Sequence, residues 1–278
     1  MLLVLWAVAG IGGVSGASVG CGHDHDQLEA EVDVAPAARS AVILDGSTTA
    51  ARAPIRIVVG ADALYGTFDA DRCRTPGQRV TYRTPSDVDH TCSDEDIITS
   101  ARADAITALV VKAARRWREL LSVTPATEPL VYKPSVCYHV PVPTLHATAG
   151  VPDADLVLYL SARVPADAGV VGAAVYCQRD ATGRPTVGMV QITPAVYSAK
   201  FIHPGGGDEN DYITFLMHEI AHVLGVSSSL FAIGDTTNVF SFALNRVVSY
   251  FTGDLARAAA RAHFGCPTLT GVELENDG

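Results

Sequence analysis

Apolar residues recur along the chain in two patterns, one typical of strands and one typical of helices. Short apolar runs, rich in β-branched residues and bounded by Gly, Pro or polar residues, occupy residues 55–59, 154–164, 170–180 and 183–193. Runs of this length and composition predict buried β-strands. The folded region therefore begins near residue 54, and the last three runs predict a mixed sheet that precedes a helix.

Two longer segments have helical patterns. Residues 93–121 begin with Ser, Asp and Glu and have Arg115, Arg116 and Arg118 near their end, which matches the helix dipole at both ends and predicts the longest helix. In residues 211–224, apolar side chains recur at helical spacing and form one stripe: Ile213, Leu216, Ile220 and Leu224. The second segment therefore predicts an amphipathic helix, with His218 and His222 on the side opposite the stripe.

This second helix contains the sequence HEIAH at residues 218–222. Its two histidines are about 40° apart around the helix axis and about 6 Å apart along it, so their ring nitrogens can converge on one ion. In the H-E-x-x-H pattern both histidines ligate zinc, and the glutamate, here Glu219, takes a proton from a metal-bound water and protonates the leaving amine. The alternative is a chance occurrence of this five-residue pattern on a surface helix.

A catalytic zinc needs a third protein ligand. In the longer pattern H-E-x-x-H-x-x-G-x-x-H, Gly225 would turn the chain so that residue 228 reaches the metal, but residue 228 is Ser. We therefore expect the third ligand farther downstream. The alternatives within the chain, none favoured by its spacing, are one histidine and three carboxylates: His263, Asp235, Asp254 and Glu273.

The N-terminal region has the features of an exported precursor. Residues 1–17 contain an apolar run followed by small residues, with no charge before Asp24, and predict a secretory signal peptide; the alternative is an N-terminal strand or core helix. Residues 18–53 are polar and Ala-rich and predict a pro-segment or linker. Six cysteines behind an export signal usually pair, so we expect a secreted or cell-surface protein on the extracellular side of the membrane.

Length and charge narrow the class of protein. A chain of 278 residues fits one large domain or two smaller ones. The chain has 20 Lys and Arg against 30 Asp and Glu, a net charge of −10, and lacks a long basic cluster. This composition argues against nucleic acid as a partner.

Three motifs, in this order, carry a resemblance to a known family: VGCGHDHDQLEAEV at 19–32, HEIAHVLGVSSSLF at 218–231 and HFGCPTLTGVELENDG at 263–278. With the pairs of cysteines between them, the chain resembles leishmanolysin, the family of surface zinc metalloproteases. The resemblance implies an α+β, metzincin-like fold, in which a twisted mixed β-sheet packs on long helices that include the active-site helix. It also implies an edge strand beside the substrate cleft, which we assign to TVGMVQIT at 186–193.

The resemblance further implies a division of the chain and a metal site. Residues 54–228 would form the N-terminal catalytic subdomain and residues 229–278 the start of a central domain. His218 and His222 would ligate one catalytic Zn²⁺, and Glu219 would be the general base and acid. The family's third ligand and methionine turn would lie beyond Gly278, so we expect a C-terminally truncated chain.

For the cysteines, the resemblance implies bonds Cys73–Cys92 and Cys137–Cys177 and leaves Cys266 unpaired in this chain. Cys21 matches the pro-segment cysteine whose thiolate caps the metal in the latent form, because thiolate is a good zinc ligand. The alternatives for Cys21 are an unpaired leftover and a structural bridge.

Two functions are compatible with these features. The first is a zinc metalloendopeptidase, made as a zymogen, that hydrolyses peptide bonds of extracellular or cell-surface proteins. The second is a catalytically impaired leishmanolysin-like protein that acts as an adhesion or binding module. The intact HEIAH sequence counts against the second function, because an inactive protein does not need the general base Glu219.

Overall fold

The computed structural model describes residues 51–66, 68–82, 88–164, 171–197, 209–227, 230–231, 235–241 and 245–274. The predicted signal peptide, Cys21 and nearly all of the predicted pro-segment lie outside these residues. The chain forms two compact units, which divide between Phe231 and Ala232. Among the described residues, no helix is both long and apolar enough to cross a membrane.

The described elements are four α-helices and thirteen strands. The helices are α1 (Ser100–Leu120), α2 (Thr144–Thr148), α3 (Glu209–Leu224) and α4 (Asp254–Phe264). The strands of the first unit are β1 (Ala53–Pro54), β2 (Ile57–Gly60), β3 (Arg79–Tyr82), β4 (Val88–Thr91), β5 (Ser122–Val123), β6 (Val136–Cys137), β7 (Val140–Pro141), β8 (Leu156–Ser161), β9 (Gly172–Arg179) and β10 (Pro185–Ile192). Those of the second unit are β11 (Thr236–Ser241), β12 (Arg246–Phe251) and β13 (Val272–Glu273).

A four-stranded mixed sheet forms the centre of the first unit. Its strand order is β2-β8-β10-β9, with β2, β8 and β10 parallel and β9 antiparallel to β10. The four predicted strands are therefore confirmed, with β8 and β10 buried and β2 and β9 mostly half-buried. Both faces of the sheet are covered, so successive residues of β8 pack on opposite sides: Leu158 and Leu160 on one, Val157 and Tyr159 on the other. Two-sided burial explains why this strand is apolar without alternation.

The assignment of TVGMVQIT to the edge of the sheet is wrong. This segment forms β10, which pairs with β8 on one side and β9 on the other. The edge next to it is β9, Gly172–Arg179, whose residues are mostly half-buried, whereas those of β10 are almost all buried. A strand with neighbours on both sides and packing on both faces loses its water contact, and this burial distinguishes it from the edge strand.

The helices α1 and α3 pack beside each other on one face of the sheet. The longest helix is confirmed, but it begins at Ser100 and not at Ser93. Ser93 and Asp96 instead form a reciprocal capping box around a separate 3₁₀ turn, Asp94–Asp96, and Ile97 is extended. The hydroxyl of Thr99 then caps α1 by accepting from the N–H of Arg102 at 3.3 Å.

The opposite face of the sheet is covered by short strands and loops. The hairpin β6–β7 packs there, and the Cys137–Cys177 bond joins its first strand to the edge strand β9 across a Cα separation of 5.6 Å. At the C-terminal end of β8, buried Asp69 accepts hydrogen bonds from Arg163 at 2.6 and 2.9 Å. The second bond implied by the resemblance, Cys73–Cys92, connects the segment before β3 to the end of β4.

In the second unit, β11, β12 and β13 form an antiparallel sheet, and α4 ends at Gly265 in the left-handed conformation. Cys266, which follows α4, is disulfide-bonded, so the expectation that it is unpaired in this chain is wrong. The other four described cysteines pair with one another, and the partner of Cys266 therefore lies outside the described residues. Cys266 itself is nearly fully buried (4% exposed).

Candidate active site

The helix α3 is buried on almost its whole circumference. It packs against α1 on one side and against β9 and β10 on another. His218 (7% exposed) and Glu219 (4% exposed) are therefore buried together with the apolar stripe, although the sequence pattern places His218 opposite that stripe. The acidic residues Glu209 and Asp211 lie in the first turn of α3, where their negative charges interact favourably with the positive end of the helix dipole.

Two glycines in the sheet allow α3 to approach it closely. A Cβ at Gly188 of β10 would overlap the Val223 side chain and lie 2.9 Å from the Val175 carbonyl oxygen. A Cβ at Gly172 would overlap the Phe215 ring and lie 3.2 Å from Oε1 of Glu219. The Glu219 carboxylate is thus placed beside the first residue of the edge strand β9.

The two histidines of HEIAH direct the same ring nitrogen at one another. Nε2 of His218 and Nε2 of His222 are 3.0 Å apart. Their ring centroids are 4.6 Å apart, and the rings are nearly perpendicular at 87°. The helical spacing therefore brings both nitrogens to one point, as the sequence predicts, with Glu219 beside the pair.

The turn after α3 fixes the proton on His222. Gly225 has φ +117°, its N–H donates to the His222 carbonyl at 3.2 Å, and the N–H of Val226 donates to the Ala221 carbonyl at 2.9 Å. This is a Schellman ending of the helix. It returns the Val226 carbonyl oxygen to 2.8 Å from Nδ1 of His222. Because a carbonyl only accepts, Nδ1 carries the proton and the lone pair of His222 lies on Nε2.

This donor set fits a transition-metal cation. Two imidazoles bound to one tetrahedral zinc at about 2.0–2.1 Å would have nitrogens about 3.3 Å apart, close to the 3.0 Å observed. A metal-ligating histidine usually donates its other N–H to a carbonyl or carboxylate, as His222 does. Two imidazole nitrogens that could bind a metal are therefore preorganised on one helical turn.

The backbone of α3 is supported from α1. The indole N–H of buried Trp117 donates to the carbonyl of Met217, the residue before His218, at 3.1 Å. At the N-terminal end of α3, Lys112 forms an ion pair with Glu209, and the Arg116 guanidinium donates to Oδ1 of Asn210 at 3.0 Å. These contacts fix the position of the helix that carries the histidines.

The remaining predicted site residues are not brought to this helix by any described contact. Cys21 lies outside the described residues. The candidate third ligands belong to the second unit: His263 and Asp254 are in α4, Glu273 is in β13, and Asp235 precedes β11. Within the part of the chain that the structure describes, no third His, Cys, Asp or Glu donor groups with His218 and His222.

Sequence reasoning missed Gly172, Gly188 and the Val226 carbonyl. Both glycines interrupt strand-like runs, and an isolated glycine in a strand indicates close approach of another backbone. The zinc-site pattern assigns Gly225 only to a turn towards residue 228. Its Schellman ending was also predictable from its place just after the helix, but the carbonyl that it positions was not.

Comparisons with a family model and with individual known proteins indicate the same family. The family model of the leishmanolysin peptidases matches residues 7–278. The leishmanolysin of Leishmania amazonensis is 32% identical over 292 residues, covering 91% of this chain and 46% of the relative. The leishmanolysin homolog of Crithidia fasciculata is 31% identical over 255 residues, covering 89% of this chain and 36% of the relative.

A shorter similarity extends to a ciliated left-right organizer metallopeptidase of Xenopus laevis, at 36% identity over 88 residues, covering 30% of this chain and 12% of the relative. The chain spans less than half the length of the two leishmanolysin relatives. Since the family model matches nearly every residue, the resemblance is confirmed, and the chain belongs to the leishmanolysin family.

Proposed function

We propose that this chain is part of a zinc-dependent metalloendopeptidase with a metzincin-like catalytic fold. The observation that carries the proposal is the 3.0 Å approach of the two Nε2 atoms, with the lone pair of His222 fixed by the Val226 carbonyl and Glu219 adjacent. His218 and His222 would hold the single zinc ion, and a third ligand would come from outside the described residues. When bound, zinc would supply a Lewis acid that polarises the scissile carbonyl and makes hydroxide available near neutral pH.

Glu219 moves the proton in this proposal. Its carboxylate accepts a proton from the attacking water and passes it to the nitrogen of the leaving amine. The packing of α3 on Gly172 and Gly188 keeps this carboxylate and the two imidazoles on one rigid helix. Rigid placement favours catalysis because the reacting groups do not have to be ordered in the transition state.

The edge strand β9 is the proposed docking site for the substrate backbone. It begins at Gly172, beside the Glu219 carboxylate, and runs to Arg179. An extended peptide can add to a sheet edge through main-chain hydrogen bonds. We propose extracellular or cell-surface proteins as substrates, reached by secretion of a zymogen.

The test is Glu219→Ala in the complete gene product, loaded with Zn²⁺ and assayed on an unfolded protein substrate. We expect turnover to fall about 10²–10⁴-fold, with the zinc content unchanged because Glu219 is not a ligand. Glu119→Ala, which removes an exposed carboxylate from α1, is the matched control and should leave turnover unaltered.

Equal turnover by the Glu219→Ala variant and the parent would refute the role of Glu219. A parent that binds zinc and protein substrates without hydrolysing them would instead identify the adhesion or binding module.

A further inference from the structure

A second group of metal-ligand side chains lies outside the proposed active site. Cys73, His90 and Cys92 each offer a ligand atom, and these atoms lie within 4.8 Å of one another. Cys73 (2% exposed) and Cys92 (3% exposed) are buried and joined by the disulfide bond. The His90 side chain is 25% exposed, so the group lies close to the protein surface.

Backbone hydrogen bonds hold this group independently of the sulfur–sulfur bond. The N–H of Gly77 donates to the Cys92 carbonyl, and the N–H of Cys92 donates to the Gln78 carbonyl, both at 2.8 Å. The Gln78 side chain accepts from the N–H of Arg74, next to Cys73, at 2.8 Å. His90 is fixed in the β3–β4 hairpin opposite Val80. Opening the disulfide therefore leaves the three residues close together.

A carboxylate orients the imidazole of this group. Oδ2 of Asp96 lies 2.9 Å from Nε2 of His90 and also accepts from the N–H and the hydroxyl of Ser93, each at 2.8 Å. With the Nε2 proton donated to this carboxylate, the lone pair of His90 lies on Nδ1. Pairing of a carboxylate with the second nitrogen of a histidine is the usual support of a metal-ligating imidazole.

We propose that the reduced hairpin is a second zinc site, which the disulfide closes. A dithiol reductant transfers two electrons and two protons to the Cys73–Cys92 bond and becomes a cyclic disulfide itself. Zn²⁺ then displaces the two thiol protons and binds both thiolates and the His90 imidazole. Two thiolates and one imidazole are a zinc donor set with a fourth position open to water.

The geometry permits the change. Zinc–sulfur bonds of about 2.3 Å at the tetrahedral angle separate two sulfurs by about 3.8 Å. The Cα atoms of Cys73 and Cys92 are 5.7 Å apart, so side-chain rotation can open the sulfurs to this distance. In the disulfide the sulfurs carry no thiolate charge, and metal binding and the disulfide are therefore mutually exclusive.

The experiment uses the full chain carrying His218→Ala and His222→Ala, so that the proposed active site contributes no metal and the two proposals fail separately. This protein is titrated with Zn²⁺ and Co²⁺ without oxygen, either oxidised or after dithiothreitol treatment and removal of the reagent. We expect one Zn²⁺ per reduced chain, no binding by the oxidised chain, and a thiolate-to-Co²⁺ charge-transfer band only in the reduced sample.

Matched variants identify the ligands. Cys137→Ser with Cys177→Ser removes the other disulfide of this unit and should leave the bound zinc unchanged. His90→Ala should weaken zinc binding at least tenfold. Bound zinc should also slow reoxidation of Cys73 and Cys92, but not of Cys137 and Cys177, in peptide mapping by mass spectrometry.

Three results would overturn the proposal. They are a reduced chain that keeps its far-ultraviolet circular dichroism and binds no metal, a reduced chain that unfolds and is not restored by Zn²⁺, and equal zinc binding by His90→Ala and its parent.

Discussion

The two faces of the four-stranded sheet are stabilised in different ways. On the face that carries α1 and α3, large apolar side chains such as Trp117 and Leu216 fill the space, and Gly172 and Gly188 bring the helix onto the strands. On the opposite face the covering segments are short strands and loops, joined to the sheet by Cys137–Cys177 and by the hydrogen bonds of Arg163 to Asp69. The helices bury more apolar surface, to which the polar contacts between α1 and α3 are added, whereas the irregular segments bury less and also have a disulfide bond.

The histidines on the two faces also differ in their surroundings. On the helix face, Nε2 of His218 faces Nε2 of His222. On the other face, Nε2 of His139 lies 3.0 Å from the hydroxyl of Ser161. Burial and the nearby Arg163 guanidinium lower the pKa of His139 to about 4. An imidazole beside a fixed cation is a poor metal ligand, so neighbouring groups make one face a candidate metal site and the other structural.

The largest effect that we expect is on metal binding by the helix face. His222→Ala removes one of the two converging nitrogens, and Zn²⁺ affinity of the oxidised chain should fall more than 100-fold in a competition titration, since loss of outer-shell partners alone costs 10–100-fold. His263→Ala should leave the affinity unchanged. A fall in that variant would instead identify His263 as the third ligand.

Packing on the helix face can be tested at Gly188. Gly188→Ala places a methyl group against Val223 and should lower the free energy of unfolding by about 2–3 kcal/mol. Adding Val223→Ala removes the overlapping carbons, so the two changes should be coupled favourably by about 1 kcal/mol in urea denaturation. Simple additivity of the two substitutions would show that the contact is not close.

The opposite face should respond to pH through His139. Its folded pKa of about 4 lies below the ordinary value of 6.5, so the unfolded chain takes up the proton first as the pH falls. Stability is therefore full above pH 6.5 and is lost between pH 6.5 and 4, by about 1–2 kcal/mol at pH 5. His139→Gln lacks this titration, and its urea-unfolding curve should depend less on pH. Equal slopes for the parent and the variant would contradict the shift.

The smallest expected effect concerns the turn after α3. Gly225→Ala strains a positive φ and displaces the Val226 carbonyl from His222, so zinc affinity should fall about tenfold. Gly183→Ala is the matched control, because Gly183 also has a positive φ, +86°, with open space around it. Both variants should lose stability, and only Gly225→Ala should lose metal affinity. A similar loss of affinity in both would remove the carbonyl from the site.

Elements whose signal is local were predictable from the chain. The four strands of the sheet follow from short β-branched apolar runs bounded by turn residues. The two long helices and the spacing of His218 and His222 follow from the helical period of 3.6 residues. The start of α1 was not predictable, because the capping signal at Ser93 belongs to a separate 3₁₀ turn and Thr99 caps the helix. The edge strand was not predictable either, because β9 and β10 are both apolar and only their pairing in the folded sheet shows which of them lies at the edge.

The sequence by itself determined which residues can bind a metal, because two histidines four positions apart on a helix necessarily share a face. Tertiary structure decided how they are used. It buried His218 and Glu219 against the sheet, turned the Val226 carbonyl onto His222 and placed His90 beside two cysteines. These contacts join residues through the folding of loops and the packing of strands, and no local period in the chain encodes such distances.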